Sequence, residues 1–216
     1  MNPITIIEST ILLVLVLFVL LRRWGSPDTC NDFHHLKNLN LKNLKNLKSG
    51  DILYTTFGHI GARTFSFLMN TRWCHTAVVY NDGSEVYVIE GVKYPFLPTN
   101  GGLLILPLSL WIEIRKNDAY IGYLPINKEC NNVIRAYNHL RNVKLSQRSY
   151  EWWKYLIPSY LKKSRCPCTE DRLTCHEFTI AILQLSGVFS KSRQCSSYFP
   201  WDIPNIQTVN GFSYRL

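Results

Sequence analysis

The sequence predicts an α+β domain in which an antiparallel sheet packs on one cysteine-bearing helix, behind an N-terminal transmembrane helix. Three observations carry this. Two β-branched and aromatic runs, residues 74–80 and 85–91, flank Asn81-Asp82-Gly83-Ser84. A later segment beginning at Thr174-Cys175-His176-Glu177-Phe178 repeats apolar residues at helical steps, with Phe178, Ile182, Leu185 and Phe189 expected inward. Residues 4–21 are nearly all apolar, with Glu8, Ser9 and Thr10 as the polar exceptions.

Eighteen such residues are near the minimum for a spanning helix. No Lys or Arg precedes them, and Arg22-Arg23 follows. That pattern favours an uncleaved anchor over a signal peptide and puts the C-terminal side in the cytosol. Residues 1–23 therefore read as the anchor, with the lipid bilayer as partner through residues 4–21. Residues 24–48 read as a basic Leu/Lys/Asn-rich tether, and residues 49–216 as one catalytic-sized domain. Drawn as a helix, Leu36, Leu39, Leu44 and Leu47 cluster opposite Lys42, Lys45 and Lys48, so the tether suits a membrane surface or a plain spacer.

The formal net charge is +9, but the basic residues are scattered and match no nucleic-acid-binding signature. An anionic membrane surface is the more economical partner, and no nucleic acid is expected. The seven cysteines are odd in number and irregularly spaced, at 30, 74, 130, 166, 168, 175 and 195, which suits reduced thiols. Cys166-Pro167-Cys168 with Cys175, His176 and Cys195 is a weak zinc pattern, because Cys-x-Cys lacks the usual second intervening residue. Neither metal nor cofactor is expected.

The chemistry centres on Cys175. Thr174 and Glu177 form a T-x-x-E capping box, making Thr174 the N-cap and Cys175 the first helical residue. The helix dipole and unpaired amides there favour thiolate, so the expectation is a thiol titrating below its free value. The expected base is His75. A two-residue turn at Asp82-Gly83 would place His75 directly opposite Glu90, the carboxylate that would orient the ring. His176, one residue past the thiol, turns about 100° away around the helix and is the poorer base. The structural alternatives are a satisfied strand histidine and a buried helix cysteine.

Further elements follow from the same patterns. Strands are expected at residues 50–54, 103–106 (ended by Pro107) and 119–124, and helices at 62–70 and 131–143. The aromatic run 150–156 is either core or one wall of an acyl groove.

Gly50-Asp51-Ile52-Leu53, Cys74-His75-Thr76-Ala77-Val78-Val79, Glu90 and Thr174-Cys175-His176-Glu177-Phe178, taken in that order, resemble the circularly permuted papain-like superfamily. This group includes YiiX-like proteins, permuted NlpC-type hydrolases and lecithin-retinol acyltransferase-like enzymes. The resemblance spans about residues 49–205 and is nearest to the YiiX-like branch. It implies a permuted papain-like fold and a thiol hydrolase or acyltransferase with Cys175 as nucleophile, His75 as base and Glu90 as orienter. Tyr150, with Glu151, stands where relatives often carry a Tyr–acid pair and is a candidate for substrate or oxyanion support. Two features depart from the pattern: His176 replaces a usual Ser, and the Cys-Pro-Cys insertion is foreign to it. The expected substrate is a lipid-linked or peptide amide, ester or thioester. The alternative is an inactive membrane-anchored structural or virion protein that keeps the fold. The Asn/Lys/Ile-rich composition would suit an AT-rich genome such as that of a large DNA virus, which adds a viral membrane as a location.

Overall fold

The computed structural model describes residues 34–35, 46–56, 73–92, 102–118, 120–145, 172–191, 203 and 206–214. The expected transmembrane helix at 4–21, most of the tether, the helix at 62–70, Tyr150 with its aromatic run, and Cys166 and Cys168 lie outside the described residues. Among the described residues no helix is long and apolar enough to cross a membrane.

The described residues form an α+β architecture with one sheet and three helices. The strands are β1 (His34–His35), β2 (Ile52–Thr56), β3 (His75–Asn81), β4 (Val86–Val92), β5 (Gly102–Pro107), β6 (Tyr120–Leu124), β7 (Lys144–Leu145) and β8 (Arg172–Leu173). The helices are α1 (Leu108–Arg115), α2 (Val133–Leu140) and α3 (Cys175–Leu185). Strand order is β1-β6-β2-β3-β4-β5-β7-β8. Every pairing is antiparallel except β7 with β8. His34–His35 pair with Tyr123 and Gly122, so the sheet's edge begins inside the stretch expected to be tether. Leu47 from that stretch is also buried.

Side chains alternate across a strand, so each strand serves two cores. One face carries Ile52, Tyr54, Val78, Ile89 and Leu103, and α3 covers it with Phe178, Ile182 and Leu183. The other carries Leu53, Ala77, Val79 and Val88, covered by Leu108 and Trp111 of α1. Gly91 of β4 lies directly beneath the Phe178 ring, where an added Cβ would collide with it. The absent side chain is what lets α3 sit so close to the sheet. Helix α3 ends at Leu185, and Leu185 is exposed rather than inward. The helix stops one turn short of Phe189, which is buried beyond it next to the Phe189–Thr208 bridge.

The Gly50-Asp51 pair has a structural task. Gly50 adopts φ +101°, a conformation that favours glycine. Asp51 Oδ2 accepts from the Lys48 amide at 2.7 Å and the Tyr123 hydroxyl at 3.0 Å, and Oδ1 from the Ile126 amide at 2.7 Å. One buried carboxylate thus ties the start of β2 to the end of β6. Burial outweighs these hydrogen bonds and lifts the Asp51 carboxyl to about 6.

Candidate active site

The β3–β4 hairpin does not use a two-residue turn. Asn81 pairs with Val86, and Ala77, not His75, lies opposite Glu90. Asp82 explains the longer loop. Its Oδ1 accepts from the Ser84 amide and hydroxyl, each at 2.8 Å, and from the Glu85 amide at 2.7 Å, while Asn81 Oδ1 accepts from the Gly83 amide. These side-chain bonds fold residues 82–85 into the loop in place of the tight turn. The register moves by two residues, and a shift of two preserves the face. His75 and Glu90 therefore still meet, now diagonally, with His75 Nε2 2.6 Å from Glu90 Oε2. Both are almost wholly buried.

Glu90 has a second partner that the sequence reading missed. Arg115, at the last turn of α1, donates from Nη2 to the same Glu90 Oε2 at 2.7 Å. Its Nη1 lies 3.6 Å from Asp118 Oδ2, and its guanidinium carbon 5.8 Å from the Trp111 ring centroid. A signal for this existed: Leu108, Trp111 and Arg115 are spaced three and four apart, the period of one helix face. Taking Pro107 only as the end of a strand hid the helix that follows it.

The cap of α3 is as expected. Thr174 is the N-cap, the capping box with Glu177 is present, and the Thr174 amide donates to Glu177 Oε2 at 2.7 Å. His176 turns aside, with Nδ1 3.2 Å from Thr174 Oγ1. One turn on, Thr76 Oγ1 donates to Thr179 Oγ1 at 2.9 Å, and Thr179 Oγ1 donates to the Cys175 carbonyl at 3.3 Å. These bonds hold the start of α3 to β3.

Cys175 meets β3 where the β3–β4 ladder has just ended at Ala77 and Glu90. Its Sγ is 4.0 Å from the Cys74 carbonyl oxygen, and the Thr76 amide donates to it. The thiol thus touches the backbone on both sides of His75. The imidazole itself belongs to the α1 face with Glu90 and Arg115, while α3 covers the other, so thiol and ring approach from opposite sides of the strand end.

The electrostatics overturn one expectation. Burial pushes the Cys175 thiol up to about 12; the neighbouring Cys74 adds to this, and the Thr76 and His176 amides oppose it. Desolvation outweighs the helix N-terminus, so the resting sulfur is a thiol and not a thiolate. His75 is held below its ordinary value, first by burial and then by the Arg115 charge, against the pull of Glu90. At rest the imidazole is therefore neutral and the Cys175 sulfur is a thiol.

Cys74, Cys130 and Cys175 are free of disulfides. Among the described residues no group of three or more His, Cys, Asp or Glu could hold a metal ion. No protein-family model matches the chain, and no curated protein matches it.

Proposed function

We propose that the chain is a membrane-anchored cysteine hydrolase or acyltransferase of the circularly permuted papain-like type, acting on an amide, ester or thioester bond of a lipid-linked or peptide substrate. The observation that supports this is that Cys175, at a capped helix N-terminus, contacts the backbone of Cys74 and Thr76, the two neighbours of His75, whose ring is bonded to Glu90. Cys175 attacks the carbonyl as His75 takes its proton, since no thiolate stands ready. His75 returns the proton to the leaving group, and water or an acyl acceptor releases the Cys175 acyl group. The Cys175 backbone N–H supplies one oxyanion donor. The anchor at 4–21 raises the local concentration of a lipid-linked substrate.

Burial of the thiol favours a second reading, an inactive membrane-anchored structural or virion protein that retains the fold. Turnover separates the two. Full-length chain in vesicles is given fatty-acyl thioesters and lipopeptide esters, and the same is done with Cys175→Ser. Turnover that Cys175→Ser abolishes supports the enzyme, because a hydroxyl is a far weaker nucleophile without a stronger base. Turnover that survives in Cys175→Ser refutes it.

A further inference from the structure

The buried arginine is what the cysteine–histidine–glutamate reading leaves unexplained. A single oxygen, Glu90 Oε2, accepts from Arg115 Nη2 at 2.7 Å and lies 2.6 Å from His75 Nε2. All three residues are at most 2% exposed. Guanidinium has no acceptor and keeps its proton in any protein, so the oxygen facing it must be a bare carboxylate oxygen. A bare carboxylate oxygen can face Nε2 only if Nε2 carries the hydrogen. The shared oxygen therefore fixes a hydrogen on Nε2, so that the neutral ring is the Nε2–H tautomer.

We infer that Arg115 is a positioning residue of this site: it holds Glu90 ionised, and through Glu90 it keeps the His75 hydrogen on Nε2, which makes Nδ1 the base atom in the proposed reaction. Arg115 acts through Glu90 and touches no reacting atom. Among the described residues, the groups around His75 fit this. Glu90 comes from β4, and Arg115 from α1 with Asp118 behind it. Thr55 of β2 pairs with His75 and carries no charge. Cys175 lies on the α3 side, with Cys74 adjoining it. The inference rests on the proposed function only for the use made of Nδ1; the tautomer is independent of it.

Nitrogen-15 NMR of the full chain, labelled at histidine, tests the inference without substrate. In the wild-type chain the His75 signals should show a neutral ring with hydrogen on Nε2 at pH 7 and above, with a midpoint below the ordinary histidine range. Arg115→Met should raise the His75 midpoint by about one pH unit or more, because Glu90 then needs a new counter-charge. Arg115→Lys keeps a cation and should keep the wild-type pattern. An imidazolium at pH 7 or an Nδ1–H ring in the wild-type chain overturns the inference, as does a folded Arg115→Met with an unmoved midpoint. Should Arg115→Met not fold, the wild-type tautomer and Arg115→Lys decide: an Nε2–H ring in both supports the inference, and imidazolium at neutral pH in either contradicts it. A correct tautomer with no turnover at Cys175 refutes the enzyme and leaves the role of Arg115 standing.

Discussion

Cys175 carries two opposing influences, and their sizes decide its state. The helix N-terminus and two amides draw its proton off, while burial beside Cys74 holds the proton on and prevails. Only the first influence is visible in Thr174-Cys175-His176-Glu177, since a capping box is local and burial is made by distant strands. Alkylation by iodoacetamide should accordingly be slow at pH 7 and climb as pH rises toward about 12, where the thiol ionises. A midpoint below about 7.5, as a bare helix-terminus argument requires, contradicts this. The stability effect has a definite sign. A folded value raised above the unfolded value of about 8.5 leaves stability intact below that pH and erodes it as pH rises through the folded value. Glu90 shows the same limit of local reading. The sequence suggests a carboxylate used for orientation, and its bond to Arg115 makes it half of a buried ion pair as well. Glu90→Gln takes away the nearest carboxylate of that buried cation and should cost about 3–5 kcal/mol in denaturant unfolding. A loss under about 1 kcal/mol means the pair is not structural.

Among the elements, those set by local periodicity were legible, and those set by tertiary contact were not. The α3 start, the strands β2, β5 and β6 and the helix α2 fall within or next to their expected spans. The hairpin strands are right but the register is off by two, because Asp82 side-chain bonds compete with the Asp-Gly turn. Helix α1 went unread, and Arg115 with it. Two substitutions test how α3 is held. Thr174→Ala removes the cap and should cost about 1 kcal/mol. Gly91→Ala drives a methyl into the Phe178 ring and should cost about 1–3 kcal/mol, the range for overpacking a core. A neutral Gly91→Ala would mean that α3 sits farther from β4 than these contacts require. Asp51, which ties β2 to β6, adds a pH dependence. Its carboxyl titrates near 6 when folded against 3.8 in the reference state. A raised carboxyl contributes stability that is fully present below the unfolded value and lost as pH rises through the folded one. The stability difference between wild type and Asp51→Asn should therefore shrink between pH 4 and pH 6.5, and a difference constant over that window contradicts the assignment.

For the whole molecule, the two-faced sheet explains how one strand serves two partners. α3 brings Cys175 to β3 from one face, and α1 brings Arg115 to Glu90 and His75 from the other. The sequence announces the α+β class and the pairing of His75 with Glu90. It does not announce that two separate cores meet at the end of β3, because face assignment depends on register and register depends on the loop. The proposed chemistry needs the thiol and Nδ1 to exchange a proton across that strand end. The most direct measurement is to trap the acyl-enzyme. The full chain is treated with an activated fatty-acyl ester, and the adduct is located by peptide mass spectrometry in wild type and in His75→Asn. An acyl group on Cys175 in the wild type and at least about 100-fold slower acylation in His75→Asn is the expected result, since general-base assistance contributes about 100-fold or more. No adduct on Cys175, or one that forms equally fast without His75, contradicts the account.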